Sequence, residues 1–154
     1  MNTLATINPS TRFSLRSLPK IAQPVVAEAM QTQLPYLDAP GPDVAALLPS
    51  MIVDAEAALA GAAPGAIRRI VGAITTVFPA AKVSATEAQM RGELYTAALA
   101  DLPEDALQAG MMAGLKVWRF FPSIAEMREQ AEPFMAERRK ILGALRNLSM
   151  KVRH

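Results

Sequence analysis

The chain contains no cysteine, and its single histidine, His154, is the last residue. The first absence excludes disulfides, thiolate catalysis and cysteine-containing zinc sites. The second leaves no set of histidines from which a metal centre or an acid–base pair could be assembled. Aromatic residues make up only 5% of the chain, so a core must be thin and built from aliphatic and small side chains. Uncharged runs such as 70–81 fall short of the roughly 20 residues that a membrane-spanning helix needs. No membrane partner is expected. The start lacks the apolar stretch of a secretory signal, so the chain reads as cytoplasmic. Its acid-free opening shares its composition with an organelle transit peptide, and is read here as a flexible arm.

Against these absences stands a 154-residue chain that is 51% hydrophobic, with nine methionines. That length suits one domain with a real core and is too short for two comfortable ones. Alanine and methionine favour helices, and β-branched runs are scarce, so the expected class is all-α. The expected architecture is a small helical bundle with an extended N-terminal arm and a basic C-terminal helix.

Charge is unevenly spread. Residues 1–20 carry three basic and no acidic side chains, residues 21–133 carry seven basic and 13 acidic, and residues 134–154 carry six basic and one acidic. An acidic body with basic ends suits an acidic or nucleic-acid partner, and equally a solvated, solubilising tail.

Residues 1–42 hold six prolines and little periodicity, which predicts a flexible, largely extended arm with at most one short helix near Val25–Gln33. A helical bundle domain is expected over 43–132. Leu48, Ile52, Ala55 and Leu59 recur at helical spacing, with Pro49 a candidate starting point and Gly61 and Pro64-Gly65 closing the element. Ile67, Ile70, Val71, Ile74 and Val77 form one apolar stripe, ended by Pro79. Ser84 and Glu87 stand at capping-box spacing before a helix to about Ala100, whose inward candidates are Ala88, Leu94, Tyr95, Ala98 and Leu99. Pro103-Glu104-Asp105 opens the next helix, with Leu107, Met111, Leu115 and Trp118 on one side. Gly110 and Gly114 beside them would admit a closely packed neighbour.

Trp118-Arg-Phe-Phe-Pro-Ser-Ile-Ala-Glu126 predicts a corner between two helices. Phe120 and Phe121 serve as apolar anchors, and Pro122 biases Phe121 out of the helical region. Ser123 and Glu126 stand at the spacing of reciprocal caps. The following helix is expected to kink or break at Pro133. Beyond it, residues 133–154 form a basic amphipathic helix in which Phe134, Ile141, Leu145, Leu148 and Val152 keep heptad-like spacing and Arg138 intrudes at an inward slot.

No catalytic set is found: there is no phosphate-binding glycine loop with lysine, no zinc-protease pattern and no nucleophile elbow. Glu126 and Glu129 could bring two carboxylates together, but a capping role and surface placement account for them more simply. The expectation is a non-catalytic protein without cofactor or metal. The candidate nucleic-acid or partner contacts are Arg138, Arg139, Lys140, Arg146, Lys151 and Arg153, because basic helices attract phosphate irrespective of sequence. Trp118 and Arg119 could stack on bases, although Trp118 also continues the core stripe of its helix.

Residues 66–127 resemble the folded domain of the phage replicative-helicase loader/inhibitor family. That family has an amphipathic helix ending in an aromatic-proline pair, a helix with an aromatic and paired leucines, a third helix, and then Lys-Phe-Pro-Pro-Thr-Ile-Ala-Asp/Glu. This chain offers Val77-Phe78-Pro79, then Glu93-Leu94-Tyr95 with Leu99 and Leu102, then Phe120-Phe121-Pro122-Ser123-Ile124-Ala125-Glu126. The resemblance implies a protein that binds a ring-shaped replicative helicase, restrains its ATPase and helps deliver it to an origin complex. Family members carry a flexible C-terminal segment, whereas this chain has a basic helix there and its expected arm at the N-terminus. The matched positions look structural, so no helicase-binding residue is carried over. The other reading of the chain is a nucleic-acid-binding regulator or packaging accessory that uses the basic C-terminal helix.

Overall fold

The computed structural model describes residues 13–78 and 84–152. Among these, the chain forms six α-helices and two short 3-10 turns, with no strand. The helices are α1 (Gln23–Gln31), α2 (Pro42–Ala58), α3 (Pro64–Thr75), α4 (Ala85–Ala98), α5 (Glu104–Gly114) and α6 (Ile124–Val152). The all-α class expected from composition is the class observed.

The chain divides into two compact units, one spanning Ala60–Phe134 and the other joining Ser10–Leu59 to Met135–His154. These limits do not coincide with the expected boundaries after residues 42 and 132. The reason lies in burial. Leu18, Ala22, Val26, Ala29 and Leu37, all within the proline-rich opening, are core residues packed with Val44, Leu48, Met51 and Ala55 of α2 and with Ile141, Leu145 and Leu148 of α6. The prolines do not prevent this. Pro24 sits in the first turn of α1, where its missing N–H costs nothing. The Gln23 side chain also donates to the Leu18 carbonyl at 2.9 Å, closing the turn that leads into α1. The described part of the opening, residues 13–42, is therefore core-forming rather than an extended arm; residues 1–12 lie outside the described residues.

The other unit is built on α3, α4, α5 and the first part of α6. Ile67, Ile70, Val71 and Ile74 form the buried stripe of α3 and meet Leu99, Leu102, Leu107, Met111, Met127 and Ala131. Each such fully buried aliphatic side chain contributes about 1.5–3 kcal/mol relative to exposure. Val77 does not join them: α3 ends at Thr75, and Val77 is exposed. Pro79 lies outside the described residues. On α4, Tyr95, Ala98 and Leu99 face inward to differing degrees, whereas Ala88 and Leu94 are exposed. The helix is rotated so that Thr96, bonded to the Gly92 carbonyl, takes a buried place instead.

Prolines within helices are better tolerated than expected. Pro49 lies inside α2, which begins at Pro42, and α6 runs through Pro133 without the expected break. Both rings face solvent, and buried residues on either side of each (Leu48 and Met51; Ala131 and Met135) anchor the helix against the loss of one backbone bond.

Glycine at 110 fulfils its expected role. A Cβ there would lie 2.7 Å from the Ala131 backbone, so α5 and α6 approach backbone to backbone at this point. Gly110→Ala is therefore expected to destabilise by about 1–3 kcal/mol despite the better helix propensity of alanine. Gly72→Ala in α3, where a Cβ would meet nothing within 4 Å, should stabilise by about 0.5–1 kcal/mol. Urea unfolding of both variants checks the contrast.

Candidate interaction surfaces

The corner between α5 and α6 is assembled from three distant pieces of chain. The Phe121 ring meets Phe78 edge-on at 6.4 Å and Tyr95 at 5.6 Å, with the Arg91 guanidinium 5.7 Å from the Phe121 ring centre. The Tyr95 hydroxyl donates to the Pro122 carbonyl at 2.9 Å. Ser123 and Glu126 cap each other's backbone as expected: the Glu126 N–H donates to Ser123 Oγ and the Ser123 N–H to Glu126 Oε1, each at 3.1 Å. Glu126 is thereby engaged as a cap, and both Glu126 and Glu129 are exposed. Among the described residues no group of acidic or histidine side chains is placed to hold a metal ion.

Trp118 folds back onto Gly114, whose missing side chain makes room for the indole, and it packs half-buried against the core. Phe120 is the exception at this corner. Its side chain is 82% exposed, so it is not an anchor. The turn that sends Phe121 inward to the Phe78–Tyr95 pair sends its neighbour outward.

The basic residues of α6 separate into different roles. Arg138, expected among outward contacts, is only 1% exposed and donates to the carbonyl of Ala58, the last residue of α2, at 2.7 Å. Its guanidinium satisfies an orphan carbonyl at the negative end of that helix, so it is withdrawn from any surface site. Arg139 and Lys140 are exposed and Lys151 is half-exposed. Arg146 is outward but paired with Glu56 at 3.3 Å. Arg153 lies outside the described residues. On α3, Arg69 is bonded to Glu104 at 2.8 Å.

A second arginine of α6, which sequence reasoning does not single out, does for α4 what Arg138 does for α2. Arg128 donates to the carbonyl of Ala98, the last residue of α4, at 2.9 Å. It also grips both carboxylate oxygens of Asp101 at 2.7 and 2.8 Å. The only signal available in the sequence is an arginine on an otherwise acidic helical turn, too common a pattern to mark a role. No family model, curated protein or solved structure matches the chain.

Burial raises the Tyr95 phenol above its ordinary 10.0, opposed by the nearby Arg91 charge and assisted by Glu126. The folded state thus holds this proton to higher pH than the unfolded chain does. Its contribution to stability is complete below pH 10 and declines as pH rises through the folded value. Tyr95→Phe should lose about 1 kcal/mol at neutral pH with the Pro122 bond and flatten that alkaline decline, as read from denaturation midpoints across about pH 8–11. Arg138→Met should cost about 1–3 kcal/mol by leaving a half-buried carbonyl without its donor, whereas Arg139→Ala should stay within about 0.5 kcal/mol. Chemical unfolding of the two variants separates these outcomes.

Proposed function

We propose that this protein is a non-catalytic accessory factor of phage- or prophage-type DNA replication, acting in the cytoplasm by binding a replicative helicase as loader or inhibitor. The reading rests on the resemblance of residues 66–127 to that family. One observation supports it: Phe78, Tyr95 and Phe121-Pro122, the landmarks that carry the resemblance, meet in a single packed corner. The corner is scaffold, so contact with a helicase falls to outward surfaces of the same unit. No helix among the described residues is long and apolar enough to cross a membrane, which agrees with a protein that works on another macromolecule in solution. The test is complex formation with the purified host helicase, with and without nucleotide, and the helicase ATPase rate. A stable complex with an altered ATPase rate is expected; no complex in either nucleotide state would remove the reading.

The second reading, a nucleic-acid-binding regulator or packaging accessory, draws on the outward Arg139 and Lys140 of α6, with Lys151 further along. With Arg138 buried, this face neutralises fewer phosphates than the run of basic residues suggests. If it binds DNA, the slope of log affinity against log salt should be about −4.5 or shallower, and Arg139→Ala with Lys140→Ala should reduce it by about 2. Undetectable DNA binding at low salt excludes this reading.

A further inference from the structure

A soluble helix that packs one face on a core is expected to present polar residues on the other. Helix α4 departs from that pattern. Residues 84–91 are exposed on every side; beyond them Tyr95, Thr96 and, just past the helix end, Leu99 turn inward, while Met90, Leu94 and Ala97 share an outward row with the exposed Thr86 one turn before. Met90 is 57% and Leu94 64% exposed. From Thr86 the positions advance by four, four and three residues, which places them in one stripe along the helix. Thr86 adds a methyl group at one end, and the two large side chains form the centre. A continuous row of exposed apolar side chains is more informative than scattered ones, because it marks a surface that has yet to be covered.

Charge decides what covers it. Glu87 and Glu93, both exposed, lie about 60° to either side of Met90 around the helix, so each flank of the stripe carries a carboxylate. The one basic residue of α4, Arg91, is drawn aside to the Phe121 ring. A second copy of α4 is therefore a poor occupant. In an antiparallel pair each flank meets its own equivalent, and in a parallel pair the Glu87 flank meets the Glu93 flank. Either way acid faces acid. A polyanion or an anionic lipid surface is disfavoured for the same reason.

We propose that the exposed stripe of α4 is a docking face for a basic amphipathic helix of a partner protein, whose apolar residues cover Met90 and Leu94 and whose flanking lysines or arginines meet Glu87 and Glu93. This is recognition of an amphipathic helix by an apolar surface, with rim charges setting the choice of partner. The inference does not rest on the helicase reading and survives its failure.

The test uses the full chain and two synthetic helical peptides as probes. One carries a leucine stripe between two rows of lysine; its twin has glutamate in place of lysine. Fluorescence anisotropy at low salt should show the lysine peptide binding at least about fivefold more tightly, the difference expected of two exposed ion pairs. Met90→Asp with Leu94→Asp should abolish binding, and Glu87→Lys with Glu93→Lys should transfer the preference to the glutamate twin. The second variant keeps the stripe intact, and circular dichroism of both verifies that α4 remains folded. Equal affinity for the twins, no binding of either, binding that survives loss of the stripe, or self-association abolished by the Met90 and Leu94 changes would each overturn the proposal.

Discussion

A helix that ends against a core leaves carbonyl oxygens without partners, and an unsatisfied carbonyl away from water costs about as much as the hydrogen bond it lacks. Both units meet this constraint with an arginine from α6. Arg128 bonds the last carbonyl of α4 and Arg138 that of α2. The two sites sit in different settings. Arg128 stays partly in solvent and shares its charge with Asp101, so it adds modest energy and fixes the turn between α4 and α5. Arg138 is enclosed, and its cation is held where the α2 dipole presents negative charge. Removing that side chain strands the carbonyl as well as emptying the space.

The helix that supplies both arginines, α6, runs 29 residues through a proline. Its first part supplies Met127 and Ala131 to one core, and its later part supplies Ile141, Leu142, Leu145 and Leu148 to the other. Packing on both sides of Pro133 outweighs one missing backbone bond. The same packing governs the opening segment, where a stripe of Leu18, Ala22 and Val26 prevails over a composition that reads as loop.

Legibility in the sequence follows the range of the forces involved. Local chemistry is readable: the Ser84 and Ser123 caps, the α3 stripe, the glycine that admits a neighbouring helix and the corner at Pro122 all depend on residues a few positions apart. What escapes depends on distant partners. Nothing near Arg138 reveals that Ala58 needs a donor, and so a basic run reads as one surface feature. Helix α4 misleads at Leu94 because its apolar residues divide between a packed and an open face, and at Ala88 because residues 84–91 are exposed on every side. Phe120 and Phe121 cannot be told apart without the Phe78 and Tyr95 rings that claim only one of them. The candidate site suffers most, since burial removes its central arginine and outward apolar residues take over as the distinctive surface.

The chain thus presents two chemically different outer faces: an acid-rimmed apolar stripe on α4 and a reduced basic face on α6. The second is reduced because Arg138 is enclosed and structural. Arginine-selective modification of the native protein with phenylglyoxal, read residue by residue by tandem mass spectrometry, tests that most directly. Arg139 should react readily while the adjacent Arg138 stays unmodified until the protein unfolds. Modification of Arg138 at the rate of Arg139 in the folded state would contradict the account.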